Sequence, residues 1–98
     1  MKATLPDVLR AAYHLLKDKG RLAMIYPASQ AIDLIQGMRQ FHLEPKRIQF
    51  VHSHRKDDAR LMLVEAIKDG HAQVRLIAPL FLYDSKGEYT KEAQALFL

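Results

Sequence analysis

The sequence predicts an α/β fold, and three observations carry the prediction. A stretch of helical periodicity passes through Gly20 into the short apolar run Arg21 to Tyr26; segments of the two types then follow in the order helix, strand, helix, strand, strand; and the last of these connections is short. A helix between two strands makes them parallel, whereas the polar stretch Ser53 to Asp58 permits only an antiparallel return. One reversed strand therefore closes the sheet.

The elements follow from the residues in order. Leu5, Val8, Leu9, Ala12, Leu15 and Leu16 form one helical stripe, with Thr4 as N-cap, Pro6 in the first turn and Asp7 three residues after the cap. Gly20 just past the helix suits a left-handed closing residue, and Lys17 and Lys19 suit the negative end of the helix dipole. The apolar strand Arg21 to Tyr26 belongs inside a mostly parallel sheet covered by helices on both faces. Pro27 breaks the chain and Ser29 can cap a second helix, whose stripe is Ala31, Ile32, Leu34, Ile35, Met38 and Phe41 and which ends near His42. Ile48 to Val51 forms the second strand, and Arg60 to Ile67 the third, apolar enough to be buried on both faces. Asp69-Gly70 is a turn, and Pro79 interrupts Val74 to Ile77 and Leu80 to Tyr83 into a short, irregular extension. Asp84 to Gly87 turns the chain again, and Thr90 caps a short final helix carrying Ala93, Leu96 and Phe97.

Ninety-eight residues, 49% hydrophobic and 27% charged, suit one domain with a single modest core. The absence of cysteine excludes a disulfide framework, a thiolate metal site and a cysteine nucleophile. Met1 to Pro6 lacks the apolar core and small-residue site of a signal peptide, and no apolar run approaches bilayer length, so the expectation is a cytoplasmic protein with no membrane association. A net charge of +4 and a pI near 9.5 favour contact with a polyanion such as RNA.

At the level of motifs, Leu15-Leu16-Lys17 to Leu22-Ala23, Leu43-Glu44-Pro45-Lys46-Arg47, Phe50-Val51-His52, Leu63-Val64-Glu65-Ala66, and Pro79-Leu80 with Tyr83-Asp84 and Gly87-Glu88-Tyr89-Thr90 make an ordered set over nearly the whole chain. This set resembles the C-terminal part of class I S-adenosylmethionine-dependent methyltransferases, and within them the bacterial tRNA adenine-N6 methyltransferase group. The resemblance implies the C-terminal half of a Rossmann-like class I methyltransferase sheet: three main strands, one of them antiparallel, two flanking helices and a C-terminal extension. Residues 1–98 would be a single partial domain, with 73–98 the family-specific tail. The intact enzyme would take S-adenosylmethionine as cofactor and tRNA or other RNA as partner.

Such enzymes need a glycine-rich loop after the first strand, an acidic residue after the second and an Asn-Pro-Pro-Tyr type motif after the fourth. Glycines occur only at 20, 37, 70 and 87, with no Gly-x-Gly, and there is no asparagine. No catalytic or cofactor-binding residue is therefore assigned, no cofactor is expected on this chain alone, and the chain alone is expected to be inactive. The start at Met1 just before the first helix suggests a recombinant piece, a proteolytic fragment or a split gene product. The competing reading is a stand-alone basic binding or dimerisation module without catalysis.

The carboxyl ends of the parallel strands form the rim where ligands bind in such sheets, which puts Tyr26-Pro27 and the loop His52 to Ala59 on that side. His52, His54, Arg55, Lys56 and Arg60 are the candidate RNA contacts, as a basic rim that meets phosphates; a merely solvated loop is the competing reading. Lys46 and Arg47 fall farther down the strand. His52-x-His54 supplies too few ligands for a metal, and no metal site is assigned. Tyr13, Tyr26, Tyr83 and Tyr89 follow no base-stacking pattern, Asp57-Asp58 and Glu88 with Glu92 read as surface charge, and Met24, Met38 and Met62 read as core. Without its opening strands, Arg21 to Tyr26 would expose an unpaired edge, so a homodimer through that strand or by exchange of the first helix is expected.

Overall fold

The first helix, α1 (Leu5–Leu15), starts at Thr4, whose hydroxyl accepts from the Asp7 amide at 3.3 Å while the Asp7 carboxylate accepts from the Thr4 amide at 3.1 Å. This reciprocal cap satisfies two amide groups that the helix cannot, and the Thr4 backbone bond is the chief reason the Asp7 carboxyl lies below its ordinary range. The computed structural model to which this helix belongs describes residues 3–97.

The end of α1 departs from the sequence reading. The helix closes at Leu15 with Leu16 already extended, and the left-handed residue of the connection is Lys19, at φ 60°, not Gly20. Gly20 is required for a different reason: a Cβ there would stand 2.8 Å from the Lys17 carbonyl oxygen and 3.2 Å from Leu16 Cβ. Close backbone approach, rather than a positive φ, selects the glycine.

The chain continues through β1 (Arg21–Pro27), a 3₁₀ turn (Ala28–Gln30), α2 (Ala31–Gln40), β2 (Leu43–His52), β3 (Ala59–Lys68), β4 (Arg75–Leu76), β5 (Leu80–Phe81) and α3 (Lys91–Phe97). Ser29 lies inside the 3₁₀ turn and does not cap α2, which begins without a side-chain cap. β2 begins at Leu43, not Ile48: Pro45 keeps its place opposite Ala66, and the register shift between Pro45 and Arg47 leaves Lys46 as the bulged residue.

The sheet has the order β1-β3-β2-β4, with β5 also on β2. β3 runs antiparallel to both neighbours, with Met24 opposite Val64 and Ile48 opposite Val64 on its other side, so β1 and β2 are mutually parallel around a reversed strand. β4 and β5 add to β2 in parallel, separated by the break at Pro79. The sheet topology is thus the one expected from the order of elements.

Both large helices lie on one face. Leu9 of α1, Leu34 and Met38 of α2, and Leu43, Ile48, Met62, Val64 and Ala66 of the strands make a single buried core. Gly37 lets the helices meet, since a Cβ there would stand 2.9 Å from Leu9 Cδ1. Val8, Leu15 and Ile32, counted in the apolar stripes, are exposed. The other face is largely bare, which corrects the expectation of helices on both faces and of a β3 buried on both. Met62, Val64 and Ala66 are buried, whereas Leu61, Leu63, Glu65 and Ile67 alternate with them on the open side. That side carries a depression of about 400 Å³ among Ala23, Ile25, Leu63, Gln49 and Ile77. Only its end near Val51 is covered, where Leu80 is buried beside it. A Cα radius of gyration of 14.9 Å, against about 13 Å for a compact domain of this length, records the same one-sidedness.

At the end of the sheet where β1 begins, Tyr13 fastens α1 to the β3 terminus. Its hydroxyl donates to both Asp69 carboxylate oxygens at 3.1 Å, and Lys68 Nζ lies 4.3 Å from its ring centroid while donating to the Leu16 carbonyl. The bond to Asp69 holds the Tyr13 phenol above its ordinary pKa. Among the described residues no helix is long and apolar enough to cross a membrane.

Candidate functional site at the carboxyl rim of the sheet

All the parallel strands end on one side, and two of them build that side together. β2 and β5 pair with Val51 beside Leu80 and His52 beside Phe81, and backbone bonds from Leu82 to His52 and from Tyr83 to Ser53 carry the alignment onward. Side chains two residues apart in extended chain share a face. The same register therefore sets His52 on Phe81 and His54 on Tyr83, with ring centroids 5.3 Å and 5.4 Å apart.

A turn extends the row. Asp84 Oδ1 accepts from the Lys86 and Glu88 amides, Gly87 takes φ 82°, and Tyr83 and Tyr89 become antiparallel bridge partners. Their rings stack at 5.1 Å with an interplanar angle of 25°. The neighbouring Tyr89 phenol is the leading cause of the raised Tyr83 pKa, and the nearby Arg60 charge acts in the opposite sense. Thr90 then locks the tail: its amide donates to the Leu82 carbonyl, its hydroxyl donates to the Phe81 carbonyl, and its oxygen accepts from the Ala93 amide at the start of α3. The expected cap at Thr90 is present, and Ala93 is buried.

Between the loop and the tail lies an open cleft of about 770 Å³, within the size range of small-ligand sites. His54, Arg55 and Lys56 form one wall and Phe81, Tyr83 and Thr90 the other, with Glu92 at the edge. The Arg55 guanidinium sits 5.6 Å from the Phe81 centroid. His52 packs behind Phe81 and donates through Nδ1 to the Asp57 carbonyl at 2.8 Å. His54 Nδ1 lies 3.1 Å from the Asp57 carboxylate. Arg60 stands at the base of the loop, donating to Ser53 Oγ, and does not line the cleft. Lys46 is far from it, donating to the carbonyls of His71 and Ala72.

Of the five basic candidates, three line the cleft, one supports its aromatic floor and one lies at its root. The aromatic row is what the sequence reading missed for Tyr83 and Tyr89. Its signal was available as His-x-His ending one strand and Phe-x-Tyr ending another, but the register that superposes them is a tertiary fact. Asp57, read as plain surface charge, orients His54. Met38 and Met62 are fully buried, as core residues should be.

The chain has a methyltransferase-like fold. It superposes on the crystal structure of a predicted O-methyltransferase, protein Atu636 from Agrobacterium tumefaciens, with a TM-score of 0.83 and 24% sequence identity over 94% of this chain. That overlap spans 44% of the other chain, so the match is to part of a larger protein. No protein-family model and no curated protein matches the sequence.

The four glycines are spread over the fold. Gly20 precedes β1 and Gly70 follows β3, both at the end opposite the rim, while Gly37 lies inside α2 and Gly87 in the tail turn. Gly87 alone stands beyond the carboxyl end of a parallel strand, β5, and there it belongs to the turn that Asp84 closes.

Proposed function

We propose that this chain is the acceptor-side, C-terminal half of an S-adenosylmethionine-dependent methyltransferase domain, occupying residues 1–98 with 73–98 as its distinctive tail. The observation that carries the reading is the reversed β3 between parallel β1 and β2, ending at a β1 whose outer edge has no partner among the described residues and beside a largely bare sheet face. A sheet of this kind is completed by further parallel strands beside β1 and by helices over the second face. S-adenosylmethionine would supply the methyl group from a pocket made by those further residues. The residues described here would present the rim: His52, His54, Arg55, Lys56 and Arg60 toward an RNA acceptor. The motif resemblance of the tail favours the adenine N6 atom of a tRNA as the acceptor.

Calorimetric titration of the 98-residue chain with S-adenosylmethionine should give no measurable heat, and tight stoichiometric binding would overturn the reading. The product of the complete coding sequence, given labelled S-adenosylmethionine and tRNA, should yield N6-methyladenosine by nucleoside mass spectrometry. A methylated oxygen in place of that product would overturn the acceptor assignment. The open edge of β1, beside a bare face on which Ile25 is 68% exposed, also favours self-pairing of the isolated chain as a homodimer, through this strand or by exchange of α1. Light scattering should report a dimer at high micromolar concentration; a monomer there would exclude it.

A further inference from the structure

We propose that the cleft between the His54-Arg55-Lys56 loop and the C-terminal tail binds single-stranded nucleic acid, stacking an unpaired base on the His54-Tyr83-Tyr89 row and placing the adjoining phosphates against Arg55 and Lys56. The inference rests on the reading of this chain as the RNA-facing half of its domain, and it specifies which RNA feature that half takes hold of.

Three observations combine. The row His54, Tyr83, Tyr89 is continuous, with successive centroids 5.4 Å and 5.1 Å apart; His54 and Tyr83 line the cleft, and Tyr89, at the far end and outside the lining, is 53% exposed, so the row runs from the cleft to open surface. Proteins that hold single strands use such aromatic faces together with a cationic groove. Arg55 and Lys56 lie on one wall of the cleft and are exposed; neither is paired with a carboxylate among the described residues. The acidic groups set the polarity. Of the two carboxylates in the lining, Asp84 is engaged by the amides of its own turn, which leaves Glu92; Asp57, outside the lining, is engaged by His54. Glu92 repels phosphate and accepts from a ribose hydroxyl or a base amine. The strand backbone therefore follows the Arg55-Lys56 wall and turns its bases toward the tail.

Duplex RNA does not fit this arrangement, because its bases are stacked on one another and their faces are closed to protein. A loop or single strand presents them.

The test is fluorescence anisotropy of the 98-residue chain with labelled oligonucleotides of equal length: single-stranded RNA, single-stranded DNA and an RNA hairpin stem. Single strands should bind at least tenfold more tightly than the stem, and comparison of RNA with DNA reads the contribution of the ribose hydroxyl. Tyr83→Leu and Tyr89→Leu should each weaken single-strand binding about 5- to 150-fold, the range expected for one lost base stack, whereas Tyr83→Phe should stay within about twofold. Arg55→Gln should lower the slope of log affinity against log salt by about 0.7, the value for one phosphate contact on a single strand. Circular dichroism of each variant checks that the fold persists, and Tyr89, exposed on the tail, gives a variant that leaves the core untouched. Stem binding as tight as single-strand binding, affinity indifferent to both leucine variants, or no binding by any oligonucleotide would each overturn the proposal. Those results leave the methyltransferase reading standing, and failure of the complete enzyme to methylate RNA leaves the oligonucleotide result standing, so the two fail separately.

Discussion

Gly37→Ala is a perturbation whose sign depends on one contact. In an exposed helix, replacing glycine by alanine stabilises by about 1 kcal/mol, because alanine loses less backbone freedom on folding. Here the new methyl carbon would lie 2.9 Å from Leu9 Cδ1, and Leu9 is fully buried in the core shared by α1 and α2. Overpacking of that kind costs about 1–3 kcal/mol, so the propensity gain is cancelled or outweighed and the net change is a loss of about 1 kcal/mol. For a chain of this length such a loss lowers Tm by about 4–8 °C. Leu9→Val removes the obstructing carbon at a cost of about 1 kcal/mol, and in that background Gly37→Ala should become stabilising. Urea unfolding of the four proteins by far-UV circular dichroism closes a double-mutant cycle, with an expected coupling of about 1–3 kcal/mol. Gly37→Ala that stabilises equally in both backgrounds would refute the close packing of α1 on α2.

The remaining expectations concern the ends of the fold. Thr4→Ala should cost about 1 kcal/mol through loss of the α1 cap, measured by the urea midpoint at neutral pH. Because Asp7 has a lowered pKa, its share of that cap is present above the unfolded carboxyl value and lost as pH falls through the lower folded one; the stability gap between wild type and Asp7→Asn should therefore shrink on acidification. Tyr13 is the reverse case: its neutral form is favoured by Asp69, so its contribution is present below the unfolded phenol value and lost as pH rises through the higher folded one. Wild type should lose its advantage over Tyr13→Phe in strongly alkaline solution, and a constant gap would argue against the Asp69 bond. Gly87→Ala should cost about 1 kcal/mol from backbone conformation alone, since φ is 82° and nothing crowds the position, and Gly87→Asn should cost less.

The sequence alone determined the main local elements and the directions of β1, β2 and β3, whereas the parallel addition of β4 and β5 to β2 came only with the tertiary structure. Thr4 and Asp7 announce a cap, the stripe through Leu9 announces a helix, and the short connection after His52 leaves β3 no choice but to run back along β2, since an antiparallel return needs only a turn and a crossover needs a dozen residues. Even so, the residues near Gly20 show the limit of local reading, because steric room and a left-handed backbone ask for the same amino acid and only the folded chain tells them apart. The faces were decided by tertiary structure. Val8, Leu15 and Ile32 look as buried as Leu9 and Leu34 until the direction from which the sheet approaches is known. The aromatic row at the rim is the clearest case: His54, Tyr83 and Tyr89 are separated along the chain and unremarkable apart. They meet because β2 and β5 pair in parallel in one register and a turn at Gly87 folds the tail back, and register is fixed by packing over the whole sheet rather than by any short stretch of residues.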